Sequence, residues 1–173
     1  MKIASSFVLA SSLILSAATA STDIPSSIAA RGETMLVTVH AQGAQVYECK
    51  RDASGALAWA FSEPIATLTL DGKTVGRHYA GPNWEWSDGS IVAAKVSGQA
   101  PAATERDIPL LRLDVTARSG SGMLSGVTTI QRLNTSGGKA SGSCPRAGDL
   151  LSVPYAADYA FYRKAGAVSA PSN

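Results

Sequence analysis

The densest group of side chains able to hold a ligand lies in the segment from His78 to Trp86. If residues 84–86 form a strand, Trp84 and Trp86 share one face, as in an aromatic platform that stacks on a sugar ring or another flat ligand. The opposing interpretation is that both indoles pack in the core, because Trp has a large apolar area and suits strands. The predicted ligand-binding residues are His78, Tyr79, Asn83, Trp84 and Trp86.

A metal site is a second interpretation, and it would have to use the only two histidines, His40 and His78. With Glu48, Glu85 or a methionine, such a pair could hold copper or zinc. The alternative is that both are hydrogen-bonded structural or surface histidines, since nothing in the sequence brings them together. No cofactor is expected.

Support for catalysis is weak. The run Ser119-Gly120-Ser121-Gly122 is not a G-x-S-x-G elbow, and it reads as a turn between two strands instead of a strand leading into a helix. Glycoside hydrolysis needs two carboxylates across a cleft, which sequence alone cannot pair. The sequence predicts no catalytic residue and favours a protein that is not an enzyme.

Cys49 and Cys144 are the only cysteines. An even count in an exported protein favours one disulfide, which requires Cα atoms about 4.4–6.8 Å apart. Two free buried thiols and a thiol-containing metal site are the alternatives, but no C-x-x-C or H-x-x-H spacing supports a metal.

The N-terminus predicts export. Lys2, the apolar stretch from Phe7 to Leu15 and Ala18-Thr19-Ala20 give the three parts of a signal peptide in order. We therefore expect a signal peptide over 1–20, a frayed polar lead-in over 21–33, one β-rich domain over 34–164 and a flexible tail over 165–173. The expected location is the periplasm or the medium.

Period-two alternation and Gly-containing turns predict an all-β fold, an antiparallel sandwich or barrel of about ten short strands. Asp71-Gly72 and Asp88-Gly89 have the composition of hairpin turns. The expected strands cover 35–39, 44–49, 57–61, 65–70, 74–79, 84–86, 91–96, 108–117, 127–133 and 155–162.

Charge gives little indication of a partner. The net charge is +2, and the basic residues are scattered, so a nucleic-acid partner is not expected. No second apolar run of membrane-spanning length follows the signal peptide.

Several strings occur together in a recognisable order. They are Gly43-Ala44-Gln45-Val46-Tyr47-Glu48-Cys49 and the segments 75–84, 88–92, 108–111, 130–132, 135–138 and 153–155, with Tyr159, Phe161 and Tyr162. On these strings the chain resembles the DUF3455 family of secreted proteins of unknown function, from about Gly43 to Tyr162. The family's pattern often has Trp where this chain has Leu110. The resemblance implies export but assigns no catalytic residue.

Three functions remain as expectations. The first is binding of a small ligand, an envelope component or a glycan around His78 to Trp86. The second is a structural or stress-related envelope protein with buried aromatics and no cavity near His78. The third is a metal-binding protein that uses His40 and His78.

Overall fold

The computed structural model describes residues 24–166 and contains eight antiparallel strands. They are β1 (Glu33–Arg51), β2 (Leu57–Leu70), β3 (Lys73–Tyr79), β4 (Asn83–Trp86), β5 (Ile91–Ala100), β6 (Leu110–Ser119), β7 (Thr129–Gly137) and β8 (Leu150–Lys164). Each strand pairs with the next, and β8 pairs with β1, so the sheet closes into a barrel. The prediction of an antiparallel all-β fold is confirmed, and the closure is a barrel.

The expected ten strands are eight because two predicted breaks lie inside continuous strands. β1 passes through Gln42-Gly43, where a Cβ on Gly43 would overlap the carbonyl oxygen of Ile65. Glycine therefore serves close packing here and does not end the strand. β2 passes through Pro64, which β3 does not cover, so the missing N–H of this proline costs no ladder bond to β3.

The β2–β3 connection is the two-residue turn that the sequence predicts. Asp71 and Gly72 have φ angles of 50° and 74°, the left-handed pair that matches the twist of a tight hairpin. The turn at Asp88-Gly89 joins β4 and β5, with only Gly89 at positive φ.

The end of the barrel where β1 finishes and β2 begins is here termed the upper end, and the loop 138–149 covers it. Cys49 at the end of β1 is bonded to Cys144 in this loop, with a Cα–Cα distance of 5.7 Å. The predicted disulfide is confirmed. Tyr47 Oη donates a 2.7 Å hydrogen bond to the carbonyl of Gly138, so the loop is held by both a covalent and a polar contact.

The opposite, lower end is filled by the loop between β6 and β7. Leu124 and Val127 of this loop are fully buried in the hydrophobic core. The Leu124 amide donates to Ser90 Oγ, and the Met123 amide donates to Asp88 Oδ2. The turn at Asp88-Gly89 therefore positions the apolar plug, and the lower half of the barrel is packed with side chains.

The N-terminal segment lies against the outside of the barrel. Ser26–Ile28 form a single 3₁₀ turn that contacts β5 and β6. Ile28 is fully buried, and its carbonyl accepts a hydrogen bond from Gln131 Nε2. The expectation that the lead-in is frayed is wrong for residues 24–33, because apolar contact and backbone hydrogen bonds hold it.

The predicted signal peptide and most of the predicted tail lie outside the described residues. Within residues 24–166, no helix has the length and apolar character needed to cross a membrane.

Candidate ligand-binding cavity

A cavity of about 330 Å³ lies where the short β3–β4 hairpin leaves the barrel wall open. β3 pairs with β2 only from Ala66 to Leu70, and β4 pairs with β5 only from Ile91 to Ala93. The upper parts of β2 and β5 therefore have no partner strand between them. The gap above the β3–β4 turn is a side entrance to the interior, at the lower limit of the ~300–1,000 Å³ typical of ligand sites.

The lining comes from all eight strands and from the β3–β4 turn. Its residues are Gln45, Phe61, Ser62, Pro64, His78, Gly81, Pro82, Trp84, Val96, Leu111, Leu113, Arg132 and Tyr159. Most of this wall is apolar, and a few polar groups are placed within it, which is the usual composition of a small-molecule site.

Three aromatic rings form the wall below the entrance. The His78 ring stacks on Trp84 with centroids 4.2 Å apart and planes inclined by 12°. Tyr159 meets both rings edge-on, at 5.1 Å from His78 and 5.3 Å from Trp84. The register explains this cluster, because His78 lies directly opposite Trp84 in the β3–β4 ladder.

His78 is neutral in this environment. Burial lowers its pKa to about 4 and the Arg132 charge adds to that effect, while the hydrogen bond to Asn83 opposes it. Nδ1 lies 2.8 Å from the backbone carbonyl of Asn83, which can only accept, so Nδ1 carries the proton. Nε2 is then left with a lone pair and can act as an acceptor.

Three buried residues of the lining each carry a polar atom without a hydrogen-bond partner in the described chain. They are Gln45 at Nε2, Trp84 at Nε1 and Tyr159 at its hydroxyl. Their exposed fractions are only 3%, 1% and 1%. A buried unpaired donor costs about 1–3 kcal/mol, so a cluster of three around one cavity indicates that this wall is suited to accept a hydrogen-bonding guest.

Arg132 adds a positive charge to the same wall. It lies opposite Tyr159 in the β7–β8 ladder and opposite Leu111 in the β6–β7 ladder. Its Nε donates a 3.0 Å hydrogen bond to the carbonyl of Pro109. No carboxylate lines the cavity, and no acidic group forms a salt bridge with Arg132 among residues 24–166.

The entrance is apolar because of a β-bulge. Val46 pairs with Glu63 and Tyr47 pairs with Phe61, so Ser62 is the extra residue in β2. This insertion keeps Phe61 on the inward face, edge-on to Tyr47 with centroids 5.8 Å apart. Phe61 and Val96 nevertheless remain 54% and 53% exposed, because no strand covers the gap between them.

The predicted ligand-binding residues are divided between two faces of the hairpin. His78 and Trp84 line the cavity, but Trp86 is buried in the core below it. Tyr79 faces outward, where its hydroxyl donates to Glu85. Asn83 positions His78 through its backbone carbonyl.

The prediction that Trp84 and Trp86 form a platform on the surface is therefore wrong, since these side chains are only 1% and 8% exposed. Their inward orientation follows from the closure of the barrel, which places the shared face of β4 inside.

The predicted metal site is also contradicted. His40 lies on the outer face of β1, where its Nδ1 is 3.0 Å from Asp158 Oδ1, whereas His78 faces the interior. The alternation of β1 requires this separation, because neighbouring Val39 and Ala41 occupy the inward positions. Within the described part of the chain, no cluster of three or more potential ligands could hold a metal ion.

Sequence reasoning missed Gln45, Arg132 and Tyr159, as well as Phe61 and Val96 at the entrance. The sequence pattern could have indicated Gln45 and Arg132, because each is a polar residue at an inward position of an otherwise alternating strand. Which strand crosses the barrel opposite His78 could not be read from the pattern.

Comparison with known proteins identifies one family. The family model described as a protein of unknown function, DUF3455, matches residues 29–74 and 69–163. No curated protein and no solved structure matches the chain.

Proposed function

Since the chain belongs to the DUF3455 family of proteins of unknown function, we infer its role from its own cavity and propose that it is an exported, non-enzymatic protein that binds one small ligand inside the barrel. The ligand enters between β2 and β5 and lies against His78, Trp84 and Tyr159. The observation that carries the proposal is a side cavity in which three buried lining residues have unpaired polar atoms.

The distribution of packing supports a binding role over a purely structural one. Leu124 and Val127 fill the lower half, and the disulfide-bonded loop 138–149 covers the upper end. A barrel that served only as a scaffold would gain stability by filling the remaining space as well. Eight-stranded barrels are just wide enough to enclose one small ligand.

The proposed location is the periplasm or the extracellular medium. The Cys49–Cys144 disulfide supports it, because such bonds persist in oxidising compartments. The signal-peptide pattern at the N-terminus supports it independently.

Binding of the neutral dye N-phenyl-1-naphthylamine tests the proposal, since its emission rises in apolar sites. Val96→Trp should obstruct the entrance, while Ile65→Trp places the same side chain on the outer face of β2. The two positions are matched, with exposed fractions of 53% and 55%. We expect Val96→Trp to weaken dye binding about tenfold or more, because the dye loses apolar contact worth ~1.4 kcal/mol.

Ile65→Trp should bind the dye as the unaltered protein does. Absence of dye binding to the unaltered protein would favour a structural envelope protein without a ligand. Equal affinity in both variants would place the dye outside the cavity and would also contradict the proposal.

A further inference from the structure

The charge and donor content of the cavity restrict the chemistry of its guest. Trp84 Nε1 and the Nε2 of Gln45 are donors, and the Tyr159 hydroxyl can donate. Arg132 supplies donors only and carries a positive charge that no acidic lining residue neutralises. Neutral His78 contributes one acceptor, Nε2. Gln45 Oε1 and the Ser62 hydroxyl can also accept, so the distinguishing feature of this wall is the positive charge of Arg132 with no acidic lining residue beside it.

The apolar part of the wall lies at the entrance. Phe61 and Val96 are about half exposed there, whereas Trp84 and Tyr159 are 1% exposed. A guest that enters through the gap would place its polar end toward the buried residues and its apolar body between Phe61 and Val96. The volume of about 330 Å³ equals that of roughly eleven water molecules at ~30 Å³ each.

From this arrangement we propose that the ligand is a small monocarboxylate with an apolar body, held by its carboxylate at Arg132 and Tyr159. The proposal rests on the proposed function of the barrel as a ligand-binding protein. A carboxylate is an acceptor at both oxygens and suits the planar fork of arginine. Because Arg132 Nε is already bonded to Pro109, the terminal guanidinium nitrogens are the ones that contact the ligand.

Decanoate and decanamide are suitable probes, because they share one apolar chain and differ in the charge of the head group. Titration calorimetry at neutral pH measures the affinity of both for the full chain. We expect decanoate to bind about tenfold to one-hundredfold more tightly, the range for hydrogen bonds to a charged group. Arg132→Gln should remove this preference while retaining the affinity for decanamide.

Tyr159→Phe tests the same assignment in a variant that keeps the Arg132 side chain. Removal of the Tyr159 hydroxyl should weaken decanoate binding about fivefold or more, and a melting temperature close to that of the unaltered protein shows that the variant is folded. Tyr162→Phe is the control, since Tyr162 lies on the same strand as Tyr159 but does not line the cavity. It should leave the affinity for decanoate unchanged.

The outcomes separate the two proposals. Equal affinity for decanoate and decanamide, or a preference that persists in Arg132→Gln and Tyr159→Phe, overturns the carboxylate assignment and leaves ligand binding intact. Failure of both probes and of the neutral dye overturns the binding role as well. A loss of decanoate affinity in Tyr162→Phe equal to that in Tyr159→Phe also overturns the assignment.

Discussion

His78 should make the stability of the barrel depend on pH in a specific range. Its pKa is lowered from 6.5 to about 4, chiefly by burial. As the pH falls below 6.5, the unfolded chain binds a proton that the folded protein excludes, so the unfolded state gains stability. The difference of about 2.5 pKa units corresponds to about 3 kcal/mol, lost progressively between pH 6.5 and 4.

Urea unfolding at a series of pH values, followed by tryptophan fluorescence, measures this effect. His78→Asn removes the titrating ring and keeps a side-chain N–H that can donate to the Asn83 carbonyl. Asp88, whose pKa is lowered chiefly by its hydrogen bond from Ser90, titrates in both proteins. The difference between the two curves therefore isolates His78.

His40→Asn is the control for loss of a histidine, because that side chain is 53% exposed on the outer face. The change in slope caused by His78→Asn should exceed any change caused by His40→Asn. Parallel stability curves for His78→Asn and the unaltered protein between pH 6.5 and 4 would show that burial does not lower the pKa of His78. So would an imidazole titration by NMR that places the pKa of His78 near its ordinary value.

Three further changes test how the barrel is held together. Replacing Cys49 and Cys144 by Ser should lower the free energy of unfolding by about 4–5 kcal/mol, because the bond closes a loop of 95 residues; a urea midpoint that does not move would contradict this. Leu124→Ala should cost about 2–5 kcal/mol in the same assay, whereas a change below about 1 kcal/mol would show that the plug is not packed as described. Gly43→Ala should lower the melting temperature because its Cβ overlaps the Ile65 carbonyl, and Gly126→Ala, where the added Cβ contacts nothing, should be nearly neutral; equal shifts would contradict the close packing of β1 on β2.

The sequence predicted the features of the fold that depend on local chemistry. Alternation marks the strands, and Asp71-Gly72 marks a tight hairpin because both residues tolerate positive φ. The disulfide followed from the number of cysteines and the expected compartment. Gly43 and Pro64 were misleading, since each usually ends a strand but here lies where packing or a free edge accommodates it.

The cavity could not be predicted because it depends on differences in strand length around the barrel. Only the closed sheet brings Arg132 and Tyr159, from β7 and β8, to the same interior as His78 on β3. The side entrance exists because β3 and β4 are shorter than β2 and β5. The bulge at Ser62, which turns Phe61 inward, has no signature in the composition of the strand.

Titration of decanoate into ¹⁵N-labelled protein locates the bound ligand, because Trp59, Trp84 and Trp86 are the only tryptophans and each gives a separate indole N–H signal. Trp84 lines the cavity with an unpaired Nε1, whereas Trp59 and Trp86 do not line it. We expect the Trp84 indole signal to move with increasing decanoate while the other two signals change little. A Trp84 signal that stays fixed while decanoate binds would contradict the placement of the ligand inside the barrel.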